Sequence, residues 1–264
     1  MTIAVAVDEL QRAWAAVEAG QFRGTGPRVR KPINDWSPSG RTVAVIGATG
    51  RVGATTVAVA IAEVASAPAR VVECGPRHSS GLIATTTAEM GATPTGWHRG
   101  VRGDVLIERL ERDVDEPATV PAPDATDRDL TIIDVSWDLG RVRRADSWLN
   151  TLVDAVPLVI VSIATVSGMR FLDQALRLTD RPDDTWCVIA GPTIKRWPKS
   201  LRAACTQRID GAVTGGRLSH APLLSSLAVI GLTPAPLPAS LLSACAPVLD
   251  QVVGLTEGNE HDHL

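Results

Sequence analysis

The chain has no tyrosine, two phenylalanines and three lysines, and none of its four cysteines stands in a C-x-x-C pair. Without tyrosine, every mechanism that needs a phenol as general acid or base is excluded. Cys74, Cys187, Cys205 and Cys245 lie far apart with no histidine at ligand spacing, so neither a zinc site nor a disulfide framework is indicated. They read as reduced, mostly buried thiols. A long apolar run is also missing: the most apolar stretch, Leu152 to Val166, is interrupted by Asp154 and Pro157 and is too short to span a membrane. The start of the chain lacks the charged segment, apolar stretch and cleavage site of a secretory leader, so a cytoplasmic protein is expected. Net charge is −3 with a pI near 6.0. No global basic field therefore advertises nucleic-acid binding, and any such contact must rest on a local patch. The near absence of lysine against 23 arginines, with abundant alanine, suggests a GC-rich bacterial genome.

What is present is ample apolar material: 264 residues, 45% hydrophobic and 21% charged, enough for a substantial core. Residues 7–20 place Leu10, Trp14 and Val17 on one helical face, so an appended N-terminal helix is expected within residues 1–22. A Gly/Pro/Arg-rich linker follows over 23–41. From Thr42 the pattern alternates. Strands are expected at 42–47, 69–74, 130–135, 157–163 and 185–190, with a short one near 227–230. Helices are expected at 53–66, 80–90, 102–112, 167–179, 198–210 and 239–254. Nearly continuous apolar strands alternating with helices predict an α/β domain over 42–254, a mostly parallel sheet covered by helices on both faces. Ligands of such sheets bind at the carboxyl ends of the strands, here Gly47, Cys74, Asp134, Ala164 and Ala190. Residues 255–264 read as an acidic, disordered tail in which His261 and His263 are not ligands.

The segment from Val43 to Ala62, VAVIGATGRVGATTVAVAIA, runs an apolar strand through a glycine loop into a helix. A phosphate-binding loop has the pattern G-x-x-x-x-G-K-[ST], in which backbone N–H groups cradle phosphate oxygens, a lysine offsets their charge and a hydroxyl holds Mg²⁺. Here Gly53, Thr55 and Thr56 match, but Ala54 stands at the lysine position. The string GATGRVG, Gly47 to Gly53, also satisfies the G-x-x-G-x-x-G loop of dinucleotide-binding reductases, with Glu73, 20 residues beyond Gly53, as the candidate ribose ligand. Both loops present a helix N-terminus to an anion. The same glycines could also do no more than turn a strand tightly into a helix.

With this loop, the IID strand at 132–134 and the later units in order, residues 42–254 resemble the ParA/MinD family of P-loop partitioning and positioning ATPases. The family's K-G-G-V-G-K-T-T falls on Thr49, Gly50, Arg51, Val52, Gly53, Ala54, Thr55 and Thr56; both lysines are absent. The family's second strand ends in a D-x-D-P-like turn whose second aspartate positions the attacking water. This chain has Glu73-Cys74-Gly75-Pro76 there, with Gly75 in place of that carboxylate. The resemblance implies ATP or ADP with Mg²⁺, a cradle from Gly47 and Thr49 to Thr56, and Thr55 and Asp134 as the Mg²⁺ residues. Losing two lysines and an aspartate removes most of the electrostatic stabilisation of phosphoryl transfer. A weakly hydrolysing or non-hydrolysing protein is therefore expected, with no catalytic residue assigned, and one that takes no nucleotide remains open. Two alternatives stand beside it: an active switch in which Arg51 replaces the lost lysine, and a reductase-like NAD(P) protein.

The resemblance further implies action through partners, in DNA partitioning or conjugative transfer or in positioning a secretion or pilus apparatus, with a dimer possible. Candidate protein-contact elements are the appended helix and the loops bearing Trp97 and Trp137. Candidate phosphate-backbone contacts are the basic clusters Lys195, Arg196, Lys199 and Arg202, and Arg141, Arg143 and Arg144. The acidic C-terminal tail has the wrong sign for an anionic membrane.

Overall fold

The computed structural model describes residue 36 and residues 40–260, side-chain detail ending at residue 252. The expected helix at 7–20, nearly all of the linker at 23–41, and residues 261–264 lie outside the described residues.

A nine-stranded sheet organises the chain, in the order β3-β4-β5-β2-β6-β1-β7-β8-β9. The strands are β1 (Arg41–Gly47), β2 (Ala69–Glu73), β3 (Ala88–Ala92), β4 (Trp97–Arg102), β5 (Val105–Leu110), β6 (Leu130–Asp134), β7 (Leu158–Ile163), β8 (Thr185–Ala190) and β9 (Leu218–Ala221). All pairings from β5 to β9 are parallel; only the β3–β4 and β4–β5 pairs are antiparallel. The mostly parallel sheet expected from the sequence is what the structure shows. Central strands β2 and β6 are buried along their whole length, and β7 up to its last residue, because helices cover both faces.

On one face, α1 (Ala54–Val64) and α8 (Ala239–Glu260) pack together over Val43, Val45, Ile132 and Val159. The other face carries α2 (Leu139–Arg144), α3 (Trp148–Ala155), α4 (Val166–Arg177) and α6 (Gln207–Thr214), over Ile46, Ile133, Ile160 and Ile189. Short helices α5 (Lys199–Arg202) and α7 (Ser225–Ile230) complete the set. Trp36 packs edge-on against Trp148 at 5.1 Å between ring centroids, which ties the start of the described chain to α3. Among the described residues, no helix is long and apolar enough to cross a membrane.

Several local expectations are corrected. The helices expected at 80–90 and 102–112 are not formed; β3, β4 and β5 occupy this region as an antiparallel extension of the sheet. A two-residue turn at Gly103 and Asp104, with Gly103 at φ +55°, joins β4 to β5 and sets the register Arg102↔Val105. The strand expected near 227–230 is α7, and the sheet edge is supplied earlier by β9. The helix expected over 198–210 is broken into α5 and α6 around Ala203 to Thr206. Trp97 is fully buried, with its indole N–H donating to the Ala122 carbonyl at 3.1 Å, and Trp137 is 7% exposed. Neither tryptophan offers a surface to a partner, because each ring is spent on the core.

Candidate functional site

Parallel strands β2, β6 and β1 end side by side, and register pairs Glu73 with Asp134 and Val45 with Asp134. The loop after β1 closes over this edge. The Ala48 N–H donates to the Val161 carbonyl at 2.8 Å, and Gly53, at φ +89°, caps α1 in a conformation open to glycine at little cost. Of the loop residues singled out in the sequence, Gly47 ends β1, and Gly50 and Arg51 are exposed. Thr49 is half-buried, and Val52 is buried in the core, leaving only its backbone for a ligand. Gly53, Ala54, Thr55 and Thr56 form the cap and first turn of α1. Ala54, at the lysine position, packs its methyl group against the core beneath α1.

Arg51 holds φ +62° and Ser136, in the loop after β6, holds φ +55°; these are the two non-glycine residues with positive φ among the described residues. Both border the same edge of the sheet, and left-handed backbone at non-glycine residues costs about 1–2 kcal/mol and is concentrated at functional sites. Arg51 makes no hydrogen bond or ion pair with any described residue and is exposed. Arg51→Gly is therefore expected to leave stability unchanged or raise it by up to about 1 kcal/mol in urea denaturation. A loss larger than that would show that the side chain carries contacts the fold needs.

The floor of the crevice is acidic. Asp134 is fully buried, and neither carboxylate oxygen has a hydrogen-bond partner of good geometry among the described residues. Burial pushes its pKa up, and the Thr55 hydroxyl and the hydroxyl and N–H of Ser136 lie near enough to oppose that. Glu73 is 2% exposed; its two oxygens accept from the Ser80 hydroxyl and from the Gly81 N–H at 2.8 Å. Burial and the Asp134 charge push Glu73 up to about 7, against the pull of Ser80, Gly81 and Arg109. These contacts draw residues 80–81 across the crevice: a Cβ on Gly81 would stand 3.2 Å from Thr55 Cγ2. A Cβ on Gly75 would stand 2.7 Å from Ser136 Cβ, so the position where the resemblance expects the water-positioning aspartate cannot carry a side chain unless Ser136 moves. Ser80, Gly81 and Ser136 were not singled out in the sequence; the only signal for Ser136 was its place two residues beyond the aspartate that ends β6.

These residues fit a divalent cation. A buried carboxylate whose oxygens have no well-aligned partner among the described residues is costly, and a cation beside the Thr55 hydroxyl would satisfy it. Among the described residues, no group of three or more His, Cys, Asp or Glu side chains could hold a metal by itself. Mg²⁺ needs only one or two protein oxygens, with waters and phosphate completing the shell, and Asp134 and Thr55 are of that donor type. The same crevice offers phosphate the open N-terminus of α1; Arg109, in register with Glu73, is paired with Glu89 at 2.9 Å.

Further along the edge, beyond β8 and β9, lies a cavity of about 450 Å³ lined by Pro192, Thr193, Arg196 and His220 among others. His220 is turned edge-on to Trp197 at 5.7 Å, and its Nε2 accepts from the Ile194 N–H at 3.3 Å. Burial lowers its pKa and favours neutral imidazole. The 192–202 segment thus supplies a wall of this cavity, while Lys195, Lys199 and Arg202 stay exposed. In the second basic cluster, Arg143 is paired with Asp154 at 2.6 Å, and Arg141 lies over the Trp137 ring at 5.0 Å.

No family model matches the sequence, and neither does any curated protein sequence. Solved structures do match. Apo McdA of Cyanothece is 13% identical with a TM-score of 0.52, over 81% of this chain and 100% of that one. A putative plasmid partition protein of Borrelia burgdorferi bound to AMPPNP is 11% identical, TM-score 0.48, over 81% and 98%. MinD of Aquifex aeolicus, in a MinC:MinD cell division complex, is 15% identical, TM-score 0.48, over 81% and 96%. At 13% identity and a TM-score of 0.52, the likeness to McdA bears on the fold alone.

Proposed function

Starting from a ParA/MinD-like fold whose phosphate loop carries no lysine, we propose a Mg²⁺-dependent nucleotide-binding protein that hydrolyses weakly or not at all and works through its partners. The observation that carries this reading is the convergence of the glycine loop, the Thr55 hydroxyl and the orphaned Asp134 carboxylate at one edge of the sheet. Asp134 and Thr55 would hold the cation, whose contribution is to offset phosphate charge. The N–H groups from Gly50 to Thr56 would receive phosphate, and the cavity beside Thr193 and His220 has room for the base. Methyl-bearing Ala54 and side-chain-free Gly75 leave transfer without the charge and the water-orienting carboxylate it needs. The partner role belongs to the same reading: partitioning or transfer of DNA, or positioning of a secretion or pilus apparatus, in the cytoplasm. The exposed cations Lys195, Lys199 and Arg202 are available to phosphate backbone, and a dimer is compatible with the fold.

The reductase-like alternative is weakened by Glu73, the carboxylate it needs for ribose, whose two oxygens are already engaged by Ser80 and Gly81. The test is calorimetric titration with ATP, ADP and NADPH in Mg²⁺. ATP or ADP is expected to bind, and Thr55→Ala to weaken binding roughly tenfold or more, the cost of one charge-assisted contact. Tight NADPH binding would favour the reductase-like alternative, and no binding by any of the three would leave the loop a purely structural turn. A Mg²⁺-dependent ATPase lost in Asp134→Ala would instead make the chain an active switch.

A further inference from the structure

On the opposite face from α1, helix α4 sets Arg170, Asp173 and Arg177 on one stripe facing α5 and the turn into α6, and a cavity of about 410 Å³ lies between them. Asp173 is buried at its edge, 4% exposed. Its Oδ2 accepts from Arg177 Nε at 3.1 Å and Nη2 at 2.8 Å, and its Oδ1 from Thr206 Oγ1 at 2.6 Å and Arg208 Nη1 at 3.4 Å. One carboxylate thus anchors two guanidinium groups and has no capacity left over. Arg170, lining the same cavity, makes no hydrogen bond or ion pair with any described residue, and Nη1 of Arg177 is equally uncommitted. Three arginines against one carboxylate leave two positive charges in excess, in a chain whose net charge is −3. The Ser200 hydroxyl lines the facing wall, and exposed Lys199 and Arg202 flank it.

We propose that this cavity binds a small organic solute through a phosphate or carboxylate oxyanion held by Arg170 and Arg177. The guanidinium fork matches either oxyanion with two parallel N–H···O bonds. Because Asp173 already fixes Arg177, less side-chain entropy is lost when the ligand arrives. The volume falls in the range of small-molecule sites and is too small to enclose a helix or a duplex. The site does not depend on the nucleotide reading, since it shares no residue with the loop after β1.

The test is calorimetric titration of the full chain with pyrophosphate, with citrate and with a short DNA duplex, in wild type, Arg170→Gln, Arg170→Lys and Thr55→Ala. Saturable binding of pyrophosphate or citrate is expected. Arg170→Gln should weaken it roughly 10- to 100-fold, the loss of a charge-assisted pair. Arg170→Lys should recover part of the affinity, and Thr55→Ala should leave it unchanged. Arg170 is exposed, so its replacement leaves the core intact, which circular dichroism checks. Absence of saturable binding, or binding that Arg170→Gln does not alter, overturns the proposal. So does a response confined to double-stranded DNA, which would make the surface a phosphate-backbone track.

Discussion

Glu108→Ala will lower the unfolding free energy by about 3–5 kcal/mol, because it strands a buried guanidinium without its counter-charge. The Arg70 and Glu108 side chains are 1% and 0% exposed, and Arg70 Nη1 meets Glu108 Oε2 at 2.9 Å. Arg70 also donates from Nε to Thr131 Oγ1 at 3.0 Å and from Nη1 to the Asp124 carbonyl at 2.8 Å. Arg99 closes the other side, with Nε at 2.7 Å from Glu108 Oε1 and Nη2 at 3.2 Å from Asp124 Oδ2. Burial lowers the Arg70 pKa, and the Glu108 charge is the main influence opposing it. Against a total stability of about 5–15 kcal/mol, this loss is roughly a fifth or more. Urea denaturation measures it. The pair itself need not be net stabilising, so Arg70→Met with Glu108→Leu should recover most of the loss by replacing charge with apolar packing. If Glu108→Ala costs less than about 1 kcal/mol, the network is not what joins the β3–β5 extension to the parallel sheet.

Stability will also fall as pH rises from about 5 to 8, opposite to the usual behaviour of carboxylates. Glu73 sits at about 7 in the folded chain against 4.5 as an ordinary glutamate, and Asp134 is raised beside it. A folded pKa above the unfolded one means that the native state holds the proton more tightly. Its stabilising effect is therefore complete below about 4.5 and lost as pH passes through about 7. The shift corresponds to a loss on the order of 3 kcal/mol. Urea midpoints at pH 5 and 8 test the sign. In Glu73→Gln the drop should shrink, and what is left belongs to Asp134, relieved of its neighbour. Unchanged midpoints in wild type would mean that the crevice is wetter than its burial indicates. Mg²⁺ with ATP should restore part of the stability at pH 8 if Asp134 takes the cation, since binding to the native state alone stabilises it.

Four strands of the parallel core were legible because each is a nearly continuous apolar run: VAVI in β1, LTIID in β6, LVIVSI in β7, TWCVIA in β8. Such runs leave no choice but burial on both faces. The antiparallel extension was not legible because its charges mimic a helix. Glu108, Arg109, Glu111 and Arg112 read as solvated i, i+3 and i, i+4 partners, yet Glu108 and Arg109 are buried, Glu108 paired with Arg70 on β2 and Arg99 on β4, and Arg109 with Glu89 on β3. Gly103-Asp104, and the Pro- and Gly-bearing stretch 93–96 between β3 and β4, carried hairpin signals. Helices α2 and α3 were also missed, although Asp138 and Ser147 cap them by accepting from the Arg141 and Asn150 N–H groups. Each helix is too short for its periodicity to stand out. In the site, the glycine loop and Asp134 are visible as motif and strand end. The Ser80–Gly81 crossing is not, since it depends on a buried glutamate recruiting a distant loop.

Trp137 donates its indole N–H to the Cys74 carbonyl at 2.7 Å, between Glu73 and the Gly75 turn, and Arg141 lies over its ring. Because the chain has no tyrosine, its ultraviolet emission comes from indole alone. An indole hydrogen-bonded to the crevice wall and covered by a cation will change colour and intensity whenever the ends of β2 and β6 shift. The protein therefore carries its own optical sensor of that crevice, and Trp137→Phe, read against wild type during a ligand titration, isolates its signal without any attached dye.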